Sequence, residues 1–196
     1  MNTVRVLVML AMVLCVSGGE SAADPFNEAR EAVTSGDYEK AFGMYKVSAE
    51  QGNVSGMFYL GVMYDDGIGI QKNYYEAMKW YNKAAELGDH KAMFNIGMMY
   101  YIGEWTPQNY AEAMRWFRKS AELGDVKAMF NLGMMNSKVE GVARDYVQAH
   151  KWFNIAAAGG DETARKNRDE LAKMMTPTQI AQAQKLAAEW NSEGKP

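Results

Sequence analysis

The sequence predicts an all-α solenoid of antiparallel helix pairs, and three observations carry that expectation. The stretch YYEAMKWYNKAAELGD at Tyr74–Asp89 returns as YAEAMRWFRKSAELGD at Tyr110–Asp125 and as YVQAHKWFNIAAAGGD at Tyr146–Asp161, with a weaker copy, YEKAFGMYKVSAEQGN, at Tyr38–Asn53. Gly52, Gly88, Gly124 and Gly160 stand 36 residues apart, as do Ala41, Ala77, Ala113 and Ala149. Each copy also has helical periodicity and helix-terminating residues at both ends. A fixed period of this length marks a repeat array in which each unit buries its apolar face on its neighbours.

Within a copy, Ala77, Trp80, Tyr81, Ala84, Ala85 and Gly88 fall at i, i+3, i+4, i+7, i+8 and i+11, the spacing of one helical face. Glu76, Lys79, Lys83 and Glu86 lie on the other side. Asp37, Asn73, Asn109 and Asp145 precede the recurring tyrosine as N-caps. Lys40, Glu76, Glu112 and Gln148 follow three residues on, so three of the four complete a capping-box pattern. The closing glycines suit the left-handed C′ position, and Asn53, Asp89, Asp125 and Asp161 can cap the next helix.

That companion helix is expected over Val54–Tyr64, His90–Tyr100 and Val126–Asn136. Gly61, Gly97 and Gly133 sit inside it at one phase. A mid-helix glycine costs about 0.5–1 kcal/mol relative to alanine, so its recurrence predicts close helix–helix approach. The loops DDGIGIQK, YIGEWTPQ and SKVEGVAR follow, the third with Val139 where the others have Gly67 and Gly103.

At the mature N-terminus Asp24-Pro25 opens a helix to about Thr34, and Ser35-Gly36-Asp37 turns it into the first copy. Beyond Asp161 the repeat stops. A helix over Glu162–Met175 and a last one begun by the capping box Thr176-Pro177-Thr178-Gln179, with Ile180, Ala183, Ala187 and Trp190 on its apolar face, would cap the array.

Residues Met1–Ala23 read as a signal peptide. Arg5 is the positive end, Val6–Val16 the apolar run, and Ser21-Ala22-Ala23 the small residues before a cut after Ala23. The run is too short for a membrane span, which needs ~20 apolar residues, so no transmembrane segment is expected in the mature chain. Cleavage removes Arg5 and Glu20, leaving 20 − 23 = −3, the charge of the whole chain. The expected location is periplasmic or secreted. Leu14 stands where a lipoprotein signal wants a small residue, which argues against lipidation of Cys15. That cysteine is the only one, so the mature protein has no thiol and no disulfide. Hydrophobic content of 48% and 23% charge indicate a folded chain. A pI near 5.5 gives no electrostatic reason to expect nucleic acid or an anionic membrane.

These residues resemble the Sel1-like repeat, a relative of the tetratricopeptide repeat. Ala92, Ile96, Gly97, Tyr100, Gly103, Asn109, Ala113, Trp116, Phe117, Ser120, Ala121 and Gly124 trace one unit, with conservative departures at Ile96, Phe117 and Ser120. The resemblance implies a right-handed α-solenoid with a C-terminal capping helix pair, five hairpins in all. It divides the chain into a signal peptide (1–23), a tetratricopeptide-like hairpin (24–53), three repeats (54–89, 90–125, 126–161) and a capping tail (162–196). It also implies that the first helix of each unit lines a concave face. That places Phe58, Val62 and Asp65, then Lys91, Phe94, Met98 and Tyr101, then Lys127, Phe130, Met134 and Ser137 on one protein-binding surface. The carboxylate-clamp arrangement of Lys and Asn is absent, which favours apolar contact over recognition of a charged peptide C-terminus. Trp105 replaces the loop glycine seen at Gly69 and Gly141, and is either a local plug or an exposed anchor.

No catalytic set emerges. His90 and His150 lie in no metal-ligand spacing, and His150 takes the slot of Met78 and Met114, which argues packing. Asp65-Asp66 is explained by turn chemistry. Methionine is abundant, with Met57, Met93 and Met129 in phase and pairs at Met98-Met99 and Met134-Met135. Thioethers can hold exported copper(I), but positions that follow the repeat point to gap filling. No cofactor or resident metal is expected. The resemblance to Sel1-like proteins implies a non-enzymatic adaptor or regulator in the bacterial cell envelope, and a monomer that binds a protein or peptide is expected. Disulfide-rich relatives suggest β-lactam or cell-wall-ligand chemistry as an alternative, but they carry a cysteine pair in each repeat.

Overall fold

A computed structural model describes residues 24–103, 106–138 and 143–192. In chain order these form α1 (Pro25–Ser35), α2 (Tyr38–Glu50), α3 (Val54–Asp66), α4 (Tyr74–Glu86), α5 (His90–Ile102), α6 (Tyr110–Glu122), α7 (Val126–Lys138), α8 (Tyr146–Ala158), α9 (Glu162–Ala172) and α10 (Pro177–Ser192). Among the described residues there is no strand. Consecutive helices pack on one another from α1 to α9, the order of an all-α solenoid. The signal segment lies outside the described residues, as do Cys15, Trp105, Val139 and Gly141.

The helix starts follow the sequence closely. Asn73, Asn109 and Asp145 accept a hydrogen bond from the third amide of their helix, at 3.2, 3.1 and 3.0 Å, a contact of about 1 kcal/mol each. The reciprocal arm of the expected capping boxes is not used. The backbone N–H of Asn73, Asn109 and Asp145 donates instead to the carbonyl of Tyr64, Tyr100 and Asn136, at 2.8, 2.9 and 2.9 Å. Glu76 and Glu112, free of that task, pair with Lys79 and Arg115 one turn on. Among the expected capping boxes, the one at Thr176 is complete: its amide donates to Gln179 Oε1 at 2.9 Å while Gln179 N–H donates to Thr176 Oγ1 at 3.2 Å.

The helix ends required two corrections. Helices α3, α5 and α7 run two residues past Tyr64, Tyr100 and Asn136. In α3 and α5 the stop is the left-handed glycine, Gly67 at φ 72° and Gly103 at φ 74°. The α9 helix ends at Ala172, short of the expected Met175. Its last turn tightens, with Lys173, Met174 and Met175 donating to carbonyls three residues back. Pro177 disfavours the helical conformation at Thr176, so α9 does not run on into α10.

Between units one short turn serves two helices. Gly88 takes φ 87°, its N–H reaches Ala85 O, and the Asp89 N–H reaches Ala84 O at 3.0 Å, a Schellman closure. The Asp89 side chain then caps α5 through Ala92 N–H at 2.7 Å. Asn53, Asp125 and Asp161 repeat both roles.

The mid-helix glycines face rings. A Cβ on Gly61 would stand 2.6 Å from the Tyr81 ring, on Gly97 2.7 Å from Phe117, and on Gly133 2.5 Å from Phe153. Tyr81, Phe117 and Phe153 are buried, with Ala77, Ala113, Ala149, Leu60, Ile96 and Leu132 around them. At the C-terminal end α9 and α10 both lie against α8, rather than forming a tight hairpin with each other. Trp190 meets Trp152 edge-on at 4.8 Å.

Two substitutions separate close approach from helix propensity. Gly97→Ala should lower stability by about 1–3 kcal/mol in urea denaturation, because the added methyl overpacks against Phe117. Gly43→Ala, where no atom beyond its chain neighbours and its own helix backbone lies within 4 Å of the new Cβ, should raise it by about 0.5–1 kcal/mol. Equal effects at both sites would contradict the packing account.

Candidate protein-binding face

The eleven residues expected on the binding face all lie on α3, α5 and α7. Lys91 and Lys127 are exposed and the other nine are half-buried. The phenylalanines lean on the rings of their own hairpins: Phe58 on Tyr81 at 6.0 Å, Phe94 on Phe117 at 5.6 Å and Phe130 on Phe153 at 5.9 Å. Each therefore supports the interior with one side and faces outward with the other. Val62, Met98 and Met134 follow one turn on.

The third position of each helix is more varied. Asp65 accepts a hydrogen bond from the Tyr81 hydroxyl at 3.2 Å. Burial, then the nearby Asp65 carboxylate, pushes that phenol well above its ordinary range. The Tyr101 ring packs on Tyr110 at 5.7 Å, and Ser137 donates to the Met134 carbonyl at 2.9 Å.

Three cavities open along this face. One of about 390 Å³ brings together Phe58, Lys91, Phe94 and Lys127. A second, about 330 Å³, joins Val62, Asp65 and Met98. A third, about 300 Å³, joins Met134 and Ser137 with Phe153, Leu171 and Met174. Tyr101 and Phe130 line none of the three.

Sequence reading missed an asparagine row. Asn95, Asn131 and Asn167 recur at the period of 36; Asn95 lines the first two cavities and Asn167 the third. Their shared phase was the available signal. It was obscured because Tyr59 holds the slot in α3, and because Asn167 lies beyond the last recognisable unit.

The two histidines have different surroundings. His90 Nδ1 lies 3.1 Å from Asp125 Oδ2, while Asp125 Oδ1 accepts from the amides of Lys127 and Ala128. The Ser120 hydroxyl donates to the His90 carbonyl at 2.7 Å. Sequence spacing gave no hint of this link, because its partners are 35 residues apart. His150 is buried, and its Nδ1 has no hydrogen-bond partner. Burial holds its imidazole below the ordinary value, Arg168 adds to the depression, and Asp169 opposes it. Met57, Met99, Met129 and Met135 are buried in the core, where their thioethers fill space. Among the described residues no group of three or more His, Cys, Asp or Glu side chains could hold a metal ion.

These features define a solenoid of 36-residue helix hairpins with one semi-apolar face. The Sel1 repeat family model matches residues 31–53, 54–89, 90–125 and 126–161, and the chain belongs to that family. A Sel1 repeat protein from Oxalobacter formigenes is 26% identical, with a TM-score of 0.72 over 90% of this chain and 77% of that one. The structure of c5321, described as a protective antigen present in uropathogenic Escherichia coli strains, is 31% identical with a TM-score of 0.52. The alignment covers 80% of this chain but only 42% of c5321, less than half its length. Comparison with curated proteins gave no match. Sel1 repeats commonly mediate contacts between proteins, and proteins built from them are in general non-enzymatic scaffolds. No helix among the described residues is long and apolar enough to cross a membrane.

The buried neutral His150 makes stability depend on pH with a definite sign. Below its unfolded pKa of about 6.5, the unfolded chain takes up a proton that folded His150 resists, so stability falls as pH drops toward the depressed folded value. Comparing urea midpoints at pH 7.5 and 5.5, His150→Met should lose less stability than the wild type. An unchanged difference would show that His150 does not titrate this way.

Proposed function

We propose that this protein is an exported, non-enzymatic adaptor that binds a protein or peptide partner in the bacterial envelope or outside the cell, through the face of α3, α5 and α7. One observation carries the reading. The first helices of three successive units leave Phe58, Phe94 and Phe130, with Val62, Met98 and Met134, half-buried at matching positions. The interior already has its own rings in Tyr81, Phe117 and Phe153. Rigid aromatics beside flexible methionines suit an adaptable protein-binding surface. The Sel1 family assignment supports the class of function, and the Met1–Ala23 pattern supports export.

Photo-crosslinking from position 94 in the native host should trap a defined envelope or extracellular protein. Phe94→Ala with Met98→Ala should abolish the capture while leaving the thermal melt cooperative. Retention of every co-purifying protein by the double variant would place binding elsewhere.

Export has its own readout. Mass spectrometry of the protein from the native host should find a mature chain beginning at Asp24 outside the cytoplasm. An intact Met1 on a cytoplasmic protein would overturn that part of the proposal.

A further inference from the structure

The cavity at the junction of α5 and α7 differs chemically from its neighbours. Its apolar wall is Phe58, Phe94 and Val126, and its charged rim is Lys91 and Lys127. Neither lysine is in an ion pair among the described residues. The one carboxylate lining it, Asp125, is engaged by two amides and faces His90. Beside the apolar wall, the two exposed lysines therefore outnumber the one buried carboxylate among the described lining residues.

The repeat supplies internal controls. One unit earlier, Ser55 stands at the position of Lys91, so that junction has one of the two lysines. One unit later, Thr163 replaces Lys127, and Glu162 stands where Val126 contributes an apolar surface. His90, which engages Asp125, has Val54 and Val126 as its counterparts. Between the like units at α3 and α5 the stacking proceeds with Ser55 in place of one lysine, so the lysine pair at the next junction is not required by the stacking of units.

We propose that this cleft takes an acidic segment of the partner chain, an Asp or Glu beside an aromatic or aliphatic residue. The apolar side chain rests on Phe58, Phe94 and Val126, and the carboxylate lies between Lys91 and Lys127. The segment is internal rather than a chain terminus. Asn95 lines both this cleft and the cavity of Val62, Asp65 and Met98, so the path continues along the face. This inference rests on the α3–α5–α7 face being the binding surface.

The test uses the purified mature protein and end-blocked, fluorescein-labelled decapeptides of alternating glutamate and phenylalanine, read by anisotropy. Counterparts carry glutamine or lysine in place of glutamate. The glutamate peptide should bind more tightly than the glutamine peptide, and the lysine peptide more weakly than both. Lys91→Glu with Lys127→Glu should weaken the glutamate peptide by about tenfold or more, leave the glutamine peptide unchanged, and leave the thermal melt unchanged because both side chains are exposed. Phe94→Ala should weaken both peptides. Absence of binding by the glutamate peptide, equal affinity for the glutamine version, or indifference to charge reversal would overturn the acidic specificity. If Phe94→Ala still weakened binding, the face itself would stand. Indifference of both peptides to Phe94→Ala would remove the face reading as well. Binding only by a peptide with a free C-terminus would replace the internal segment with a terminal carboxylate.

Discussion

Each full hairpin of this solenoid depends on a bare stretch of helix backbone lying against an aromatic ring. Gly61, Gly97 and Gly133 leave room for Tyr81, Phe117 and Phe153, and a methyl group at any of the three would stand 2.5–2.7 Å from ring carbons. The local cost of a helical glycine, about 0.5–1 kcal/mol, is smaller than the ~1.5–3 kcal/mol from burying a large apolar side chain. The balance favours the ring. The buried alanines follow from the same distance, since Ala77, Ala113 and Ala149 have no exposed surface. Bringing the helices this close also leaves the outer phenylalanines partly uncovered.

Closeness within a hairpin would not make a regular array unless the joints were equally constrained. Each joint between units uses a single acid or amide residue twice. Asp89 closes α4 with its backbone and starts α5 with its side chain; Asp125 and Asp161 do the same for their helices. The residue count between helices therefore cannot drift, and positions such as 58, 94 and 130 keep one phase. The bond from the Asn73, Asn109 and Asp145 amides to carbonyls in the preceding helix fixes the longer loop in the same way. Phase is what turns scattered phenylalanines into a row.

Much of the fold was legible because its determinants are local and repeat. The C′ glycines, N-cap residues and apolar spacing each report on a few neighbouring residues, and recurrence removed the usual ambiguity. The missed features depend on contacts distant in sequence. Whether Glu76 reaches back to its cap depends on where the Asn73 amide goes, and that amide is taken by Tyr64 O. The two capping helices both seat on α8, where Trp190 meets Trp152, a contact between residues distant in sequence. On the candidate face, residue positions were legible but the cavities were not, because each cavity is bounded by side chains from more than one unit. The asparagine row is interrupted by Tyr59 in α3 and extends past the last repeat to Asn167, so the period alone shows it only in part.

Residues shared by every unit are constrained first by stacking, so they define the class of surface and not its choice of partner. Phe94 illustrates the point: it touches Phe117 inward and lines a cavity outward, and Phe58 and Phe130 do comparable packing at their own positions. Specificity must come from residues that vary while packing stays constant. Lys91 against Ser55, Lys127 against Thr163, and His90 against Val54 are changes of that kind, and they converge on one junction. The charged side chains of Lys91 and Lys127 are exposed on helices whose inner faces are nearly identical. The scaffold can therefore remain unchanged while a single junction acquires a chemical preference, which is the physical advantage of building a recognition surface from repeats.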